Sequence, residues 1–209
     1  GLAFRPRNET SPSRAVLRLA DQFFEPLDAA TEREFVTGSG GELTGSGGEG
    51  HLYSLLSSAA LAANVFAYWR YGPKRDLLRA LGFRVDHPVW LGFEHRFPIR
   101  AGYGTPPHAD VTLAAGGATP FLCAIEAKLG EPYADMPQHG LRPAHAGHAF
   151  LQQWPNLRKL AAHISPEDHI HRHLHAAQLL KHLLGLRSTE SRFTLLYLWF
   201  DINSAAGRR

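Results

Sequence analysis

The fold is decided by residues 121–128, which read Phe121-Leu122-Cys123-Ala124-Ile125-Glu126-Ala127-Lys128. The apolar run that opens this stretch predicts a buried strand. Because side chains alternate between the two faces of a strand, Glu126 and Lys128 share one face, while Ile125 and Ala127 point to the other. We therefore predict a carboxylate and an ammonium group side by side at the end of a core strand.

A second acidic residue, Asp110, lies in the short apolar segment 109–113. If residues 114–120 form the turn of a hairpin, Asp110 reaches the same face as Glu126. Two carboxylates and a lysine can hold a hard divalent cation against a phosphate. The alternative interpretation is an exposed ion pair at a strand end, which contributes little to stability.

This arrangement resembles the PD-(D/E)XK nuclease superfamily, which has the restriction endonuclease-like fold. The resemblance covers approximately residues 49–201 and rests on Asp110, on Glu126-x-Lys128, on a helix at residues 57–61 and on a helix at residues 178–181. One departure is that the proline expected directly before the aspartate is displaced to Pro106-Pro107. The resemblance implies an α/β fold with a mixed central β-sheet flanked by helices. Together, these elements resemble an uncharacterised bacterial branch of the superfamily.

The resemblance also implies an activity and a set of site residues. Asp110 and Glu126 would bind Mg²⁺ or Mn²⁺ and Lys128 would be the catalytic cation in hydrolysis of phosphodiester bonds, with DNA as the expected substrate. A further acidic ligand commonly comes from an early helix, and Glu49 is favoured over Glu94 for that place. Gln178 resembles the polar helix residue that contacts the site, although it could equally belong to a solvated helix face. The alternative function is a non-catalytic module on the same fold that binds nucleic acid or a protein partner.

Histidines supply a rival signal in the run His169-Ile170-His171-Arg172-His173-Leu174-His175. If this run is helical, the pairs 169/173 and 171/175 lie one turn apart and could chelate Zn²⁺ or Ni²⁺. The run lacks the glutamate of a metalloprotease helix and has no cysteine nearby. We therefore favour a solvated or substrate-facing side for this segment.

The overall composition permits nucleic-acid binding without demanding it. The formal net charge is only +3, and 44% of the residues are hydrophobic, as expected of a globular protein. Arginine forms bidentate contacts with phosphate, which makes a basic cluster near the predicted helix junction a candidate backbone-contact surface. The same residues are also ordinary solubilising side chains. The cluster consists of Arg70, Lys74, Arg75, Arg79 and Arg84.

Cellular location is predicted from two absences in the sequence. Cys123 is the single cysteine, which excludes an intramolecular disulfide and fits the reducing cytoplasm. The N-terminal residues lack the apolar core of a signal peptide, and residues 52–69 are too polar for a membrane span. We expect a cytoplasmic protein that does not enter a membrane.

The chain divides by pattern into three parts. Residues 1–36 form an N-terminal helical extension, residues 37–50 form a Gly-rich linker built from two similar heptads, and residues 51–209 form the nuclease-like domain. Helices are predicted at residues 13–27, 53–71, 74–81, 149–164 with a break at Pro155, and 166–184 with a stop at Gly185. Strands are predicted at residues 88–99, 109–113, 121–128 and 193–200, the last of them covered on both faces. Residues 130–147 are predicted to be a loop.

Overall fold

The computed structural model describes residues 18–38, 42–43, 50–85, 87–100, 102–117, 120–129, 139–189 and 192–200. Four strands form a single sheet in the order β1-β2-β3-β4. The first three strands are antiparallel neighbours, and β4 runs parallel to β3. The strands are β1 (Trp90–Arg96), β2 (His108–Ala115), β3 (Phe121–Lys128) and β4 (Thr194–Trp199).

Seven α-helices and three short 3₁₀ turns occur in the described residues. Asp28 and Ser57 cap the first two helices by accepting backbone N–H groups of the first turn. The helices are α1 (Ala29–Thr37), α2 (Ser58–Phe66), α3 (Lys74–Ala80), α4 (Pro143–Ala146), α5 (Ala149–Gln152), α6 (Pro155–His163) and α7 (Ala176–Thr189). The 3₁₀ turns are Leu19–Gln22, His51–Tyr53 and Ala67–Arg70.

Helices cover both faces of the sheet. Alanines of α2 pack in one core with Val111 and Leu113 of β2 and Ile125 of β3. On the opposite face, Leu122 and Ala124 of β3 form a second core with Leu186 of α7. The small side chains of α2 allow close approach to the sheet, since alanine adds little bulk beyond the helix backbone. The predicted mixed sheet flanked by helices is confirmed, and it is consistent with a restriction endonuclease-like fold.

Residues from the predicted extension and linker pack into the same core as the main domain. Phe35 is buried there with Leu52, and Leu43 packs against them. Glu34 forms an ion pair with Arg70 at 2.6 Å and accepts the backbone N–H of Phe93, which lies on the edge strand β1. The division of the chain into three parts stays a prediction.

The strand predictions are largely confirmed. β1, β2 and β3 fall where they were expected, and β2 and β3 form the predicted hairpin. The strand after α7 is also present, but the prediction that it is covered on both faces is wrong. Its residues are half-buried at best, and Trp199 is 56% exposed. Among the strands that the structure describes, β4 is an outer strand and pairs with β3 alone.

Two helix predictions are wrong. Within residues 18–27 only the 3₁₀ turn Leu19–Gln22 is helical, and α1 begins after Asp28, whose carboxylate caps it; residues 13–17 lie outside the described residues. Residues 166–175 are not helical, because Asp168 accepts the backbone N–H groups of Ile170 and His171 and so stabilises a turn.

The remaining helix predictions hold in part. The break at Pro155 is confirmed, and α3 matches its prediction to within one residue. The predicted helix at 53–71 is divided into a 3₁₀ turn, α2 and a second 3₁₀ turn. Of the predicted loop 130–147, residues 130–138 lie outside the described residues, while α4 occupies its end.

Gly185 lies in the interior of α7, where the sequence predicted its end. A Cβ at this position would lie 2.6 Å from the carbonyl oxygen of Phe97 and 2.8 Å from Cγ of Pro107. The missing side chain therefore allows α7 to approach the segments that flank β1 and β2. This close contact fixes the position of the helix that carries Gln178 and His182.

Gly185→Ala should destabilise the protein by about 1–3 kcal/mol, because overpacking against backbone exceeds the gain in helix propensity of at most about 1 kcal/mol. The matched control is Gly147→Ala, where the new Cβ would meet its nearest atom at 3.5 Å. Denaturant unfolding of both variants measures the difference. A Gly185→Ala protein as stable as the control would contradict this packing.

Candidate functional site

Three acidic residues occupy equivalent positions on neighbouring strands. Phe93 pairs with Val111 and His95 with Ala109, so Glu94 lies opposite Asp110. In the next pair of strands Val111 lies opposite Ile125, which places Asp110 opposite Glu126. We call Glu94, Asp110 and Glu126 the acidic row. The structure thus brings together the two predicted ligands and the less favoured third candidate.

Asp110 is anchored to the backbone of the neighbouring strand. The N–H of Ala127 donates to Oδ2 of Asp110 at 2.6 Å. This side-chain contact lies immediately beyond the last paired residues of the β2-β3 ladder, Val111 and Ile125. A carboxylate held by a strand backbone has a defined position, which is what a binding or catalytic group requires.

Glu126 and Lys128 lie on one face, as their spacing predicts, and they form an ion pair of 2.9 Å. The Glu126 side chain is 4% exposed and that of Lys128 is 13% exposed, so the alternative of an exposed strand-end pair is wrong. Gln178 of α7 donates from Nε2 to Oε1 of Glu126 at 2.7 Å. Gln178 therefore faces the sheet and not the solvent.

Two histidines complete the polar cover of the acidic row. His182 donates from Nε2 to the carbonyl oxygen of His108 at 3.1 Å and lies 3.6 Å from Oε2 of Glu126. Burial lowers the pKa of His182 to about 4, so its ring is neutral at pH 7. Nε2 of His108 lies 3.2 Å from Oε2 of Glu94.

Glu94 has a strained backbone conformation and a raised pKa. Its φ of 51° falls in the left-handed region, which non-glycine residues seldom adopt. Burial, together with the charges of Asp110, Glu42 and Glu126, raises the pKa of Glu94 to about 9. The carboxyl group is therefore protonated at neutral pH in the absence of a cation.

Glu42 is a further acid that the sequence analysis did not select. Its backbone carbonyl accepts the N–H of Leu52, and burial raises its pKa to about 7, with the charge of Asp110 adding to this effect. Glu49, the predicted third ligand, lies outside the described residues. Glu42 and Glu49 occupy the same place in the two Gly-rich heptads. Leu43, next to Glu42, was the signal that could have distinguished them, because an apolar residue can anchor an otherwise polar segment to the core.

His182 was missed for a different reason. His182 has helical spacing with His171, His175 and Gln178, and a solvated helix face was the competing explanation to a site contact for Gln178. The first two residues precede α7, whereas Gln178 and His182 lie one turn apart on it. Their spacing was therefore the correct signal, and the incorrect start of the helix concealed it.

The histidine run is not helical, so the rival arrangement of histidine pairs one helical turn apart is not present. His171 lies 2.9 Å from Asp168, and the exposed His169 lies 3.1 Å from Glu167. Within the described residues, no group of three or more His, Cys, Asp or Glu side chains has an arrangement that could hold a metal ion by itself.

The predicted basic surface is divided by the structure. Arg70 forms a bidentate contact with Glu34 and is largely buried, and Lys74 donates to the carbonyl of Arg70. This geometry gives Arg70 and Lys74 structural contacts within the chain. Arg75, Arg79 and Arg84 instead line a cavity of about 660 Å³ at the end of α3.

Comparison with protein-family models shows which family the chain belongs to. The family model described as REase-ARP, Restriction Endonuclease associating with ARP, matches residues 13–201. The chain belongs to this family. No curated protein and no solved structure matches it. Membership of the REase-ARP family agrees with the restriction endonuclease-like resemblance stated from the Asp110 and Glu126-x-Lys128 strands.

The helices of the described ranges were also compared with the dimensions of a bilayer. None of them combines the length and the apolar character needed to cross a membrane.

Substitution of Glu94 should change how stability depends on pH. The pKa of about 9 exceeds the ordinary value of 4.5, so this group's contribution is fully present at low pH and is lost as the pH rises through about 9. Glu94→Gln removes that loss, because the amide does not ionise. We expect the variant to lose less stability than the wild-type chain between pH 6 and pH 9, measured by denaturant unfolding in EDTA.

The exposed Glu32 of α1 provides the matched control as Glu32→Gln. The control should follow the wild-type pH dependence. Equal loss of stability in the wild-type chain and in Glu94→Gln would show that Glu94 does not hold a proton in the folded state.

Proposed function

We propose that this member of the REase-ARP family is a nuclease of the PD-(D/E)XK type that hydrolyses phosphodiester bonds in nucleic acid, with DNA as the expected substrate. The observation that carries the proposal is the convergence of Asp110, Glu126 and Lys128 on one face of adjacent strands. A lysine held beside paired carboxylates and withdrawn from solvent is suited to charge stabilisation on a phosphate.

The residues present fit Mg²⁺ or Mn²⁺. The acidic row supplies hard oxygen donors, and the charges of Asp110 and Glu126 add to the burial that raises the pKa of Glu94, so a bound cation would relieve this repulsion. Asp110 and Glu126 would hold the ion, with Glu42 and Glu94 nearby and Glu49 retained as a predicted ligand. When bound, a divalent cation supplies Lewis-acid stabilisation of charge on the phosphoryl oxygens.

The protein's own groups would orient the carboxylates and bind the phosphate and the nucleic-acid backbone. Lys128 presents its ammonium to the phosphate while Glu126 holds it in place at 2.9 Å. Gln178 fixes the orientation of Glu126 from α7, and the backbone N–H of Ala127 fixes Asp110. Arg75 and Arg79, with Arg84, would contact the nucleic-acid backbone through the cavity beside α3. We do not assign such a contact to Arg70 or Lys74, because their polar groups are engaged within the chain.

A second candidate function is a non-catalytic module that binds nucleic acid or a protein partner. It is favoured by the lack, within the described residues, of a self-sufficient metal-binding group. The family description, which names an association with ARP, also accords with a binding role. We propose cytoplasmic action for either function, because the buried single cysteine fits a reducing compartment.

Lys128→Met should reduce cleavage of supercoiled plasmid in Mg²⁺ or Mn²⁺ by roughly a hundredfold or more, because the lost ammonium acts mainly on the transition state. DNA affinity should change far less. Lys159→Met, on the exposed side of α6, is the matched control and should cleave like the wild-type chain. Cleavage unaffected by Lys128→Met would remove the assigned role of this lysine.

Calorimetry with Mn²⁺ separates the catalytic function from the binding module. We expect the wild-type chain to bind Mn²⁺, and we expect Asp110→Asn and Glu126→Gln each to weaken binding by roughly tenfold or more, since each removes a charged oxygen ligand. Glu32→Gln is the control. Absence of Mn²⁺ binding, with and without a DNA oligonucleotide, would favour the non-catalytic module.

A further inference from the structure

A second polar cavity lies beside the acidic row and differs from it in charge. Its volume is about 770 Å³, and its walls come from the segment around α4, from the turn at residues 166–169 and from the start of α7. The groups that could contact a ligand are Tyr103, Arg142, His145, His175 and Lys181.

Two cations, Lys181 and Arg142, line this cavity. Lys181 is half-buried, and burial and the charge of Arg142 lower its pKa, while the charge of Glu126 acts in the opposite direction. The guanidinium of Arg142 extends over Gly104, where a Cβ would lie 2.8 Å from one of its nitrogens. A half-buried lysine beside a guanidinium is an arrangement expected where an anion binds.

Buried imidazole nitrogens point to the same kind of ligand. His145 is 2% exposed, and its Nδ1 has no hydrogen-bond partner among the described residues. Nε2 of His175 is buried and likewise has no such partner. Buried polar atoms are normally paired, so these nitrogens indicate a ligand. Nδ1 of His145 can donate a hydrogen bond to it, whereas Nε2 of His175 can only accept one, because Nδ1 of the same ring donates to Oε1 of Gln178.

The two acidic residues at the rim of the cavity, Glu167 and Asp168, do not make the cavity negatively charged. The carboxylate of Asp168 accepts the backbone N–H groups of Ile170 and His171 and also contacts the His171 ring. Glu167 is exposed and lies 3.1 Å from His169. A metal cation is disfavoured beside Arg142 and Lys181, so the cavity suits an oxyanion.

The cavity is connected to the acidic row through one side chain. Nδ1 of His175 lies 3.2 Å from Oε1 of Gln178, and Nε2 of Gln178 donates to Glu126 at 2.7 Å. The side-chain amide of Gln178 therefore lies between a ligand bound beside His175 and a group bound at Glu126. This contiguity is what a polyanion with regularly spaced phosphates would require.

We propose that this cavity binds a phosphate group of the same nucleic acid whose scissile phosphodiester lies at the acidic row, an inference that rests on the proposed function. Arg142 and Lys181 supply the charge, and Nδ1 of His145 supplies an N–H donor. The phosphate is either a terminal monoester or an internal diester of the strand. Both present the same negatively charged oxygens.

Binding of inorganic phosphate in EDTA tests the cavity without any need for cleavage. Calorimetry should show that Lys181→Met and Arg142→Ala weaken phosphate binding by roughly tenfold to a hundredfold, the loss expected for one charged hydrogen bond. The matched controls are Lys159→Met and Arg158→Ala on the exposed side of α6. Because Arg142 is exposed, its variant keeps the test valid should Lys181→Met fold poorly.

Oligonucleotide affinity in EDTA distinguishes the two sources of phosphate. A terminal monoester is indicated if 5′- or 3′-phosphorylated strands bind about tenfold more tightly than hydroxyl-ended strands and the difference disappears in the cavity variants. An internal diester is indicated if end chemistry has no effect but both variants bind all strands more weakly. Cavity variants that match their controls in both assays would overturn the inference, whereas loss of cleavage in Glu126→Gln with phosphate binding intact concerns only the nuclease site.

Discussion

Electrostatic repulsion among buried carboxylates is the constraint on which the rest of this structure depends. Glu94, Asp110 and Glu126 occupy equivalent positions on three adjacent strands, and Glu42 lies close enough to raise the pKa of Glu94 further. A row of this kind is costly unless protons, cations or hydrogen-bond donors compensate it. Such donors come from Lys128, from Gln178 and from the Ala127 backbone.

The packing around the sheet can be understood from that requirement. Alanine-rich α2 packs on the apolar face of the sheet with Val111 and Ile125, so by strand alternation Asp110 and Glu126 lie on the opposite face. On the other face, α7 makes two kinds of contact. Leu186 packs in the core, while Gln178 and His182 face Glu126. Gly185 allows both, because a helix held farther from Phe97 would withdraw its polar side chains from the sheet.

The sequence could predict interactions between residues that are close along the chain, but not those between residues that are far apart along it. The ion pair of Glu126 and Lys128 and the position of Asp110 depend on strand alternation and a short hairpin, which are local properties. Glu42 was not selected because it and Glu49 occupy the same place in two similar heptads, and the one local difference, Leu43 after Glu42 and Gly50 after Glu49, was not used. Arg70 was predicted as a surface residue because its partner Glu34 lies far away in sequence, and a long-range ion pair leaves no periodic signal.

The parallel pairing of β3 with β4 carries a consequence for the order in which the site is completed. Asp110 and Glu126 meet as soon as the hairpin closes, whereas the crossover that supplies Gln178 and His182 ends about seventy residues after Glu126, at β4. Any intermediate that contains the hairpin without the docked crossover therefore exposes its clustered negative charge to water. Assembly of the crossover is then the step at which this charge is desolvated.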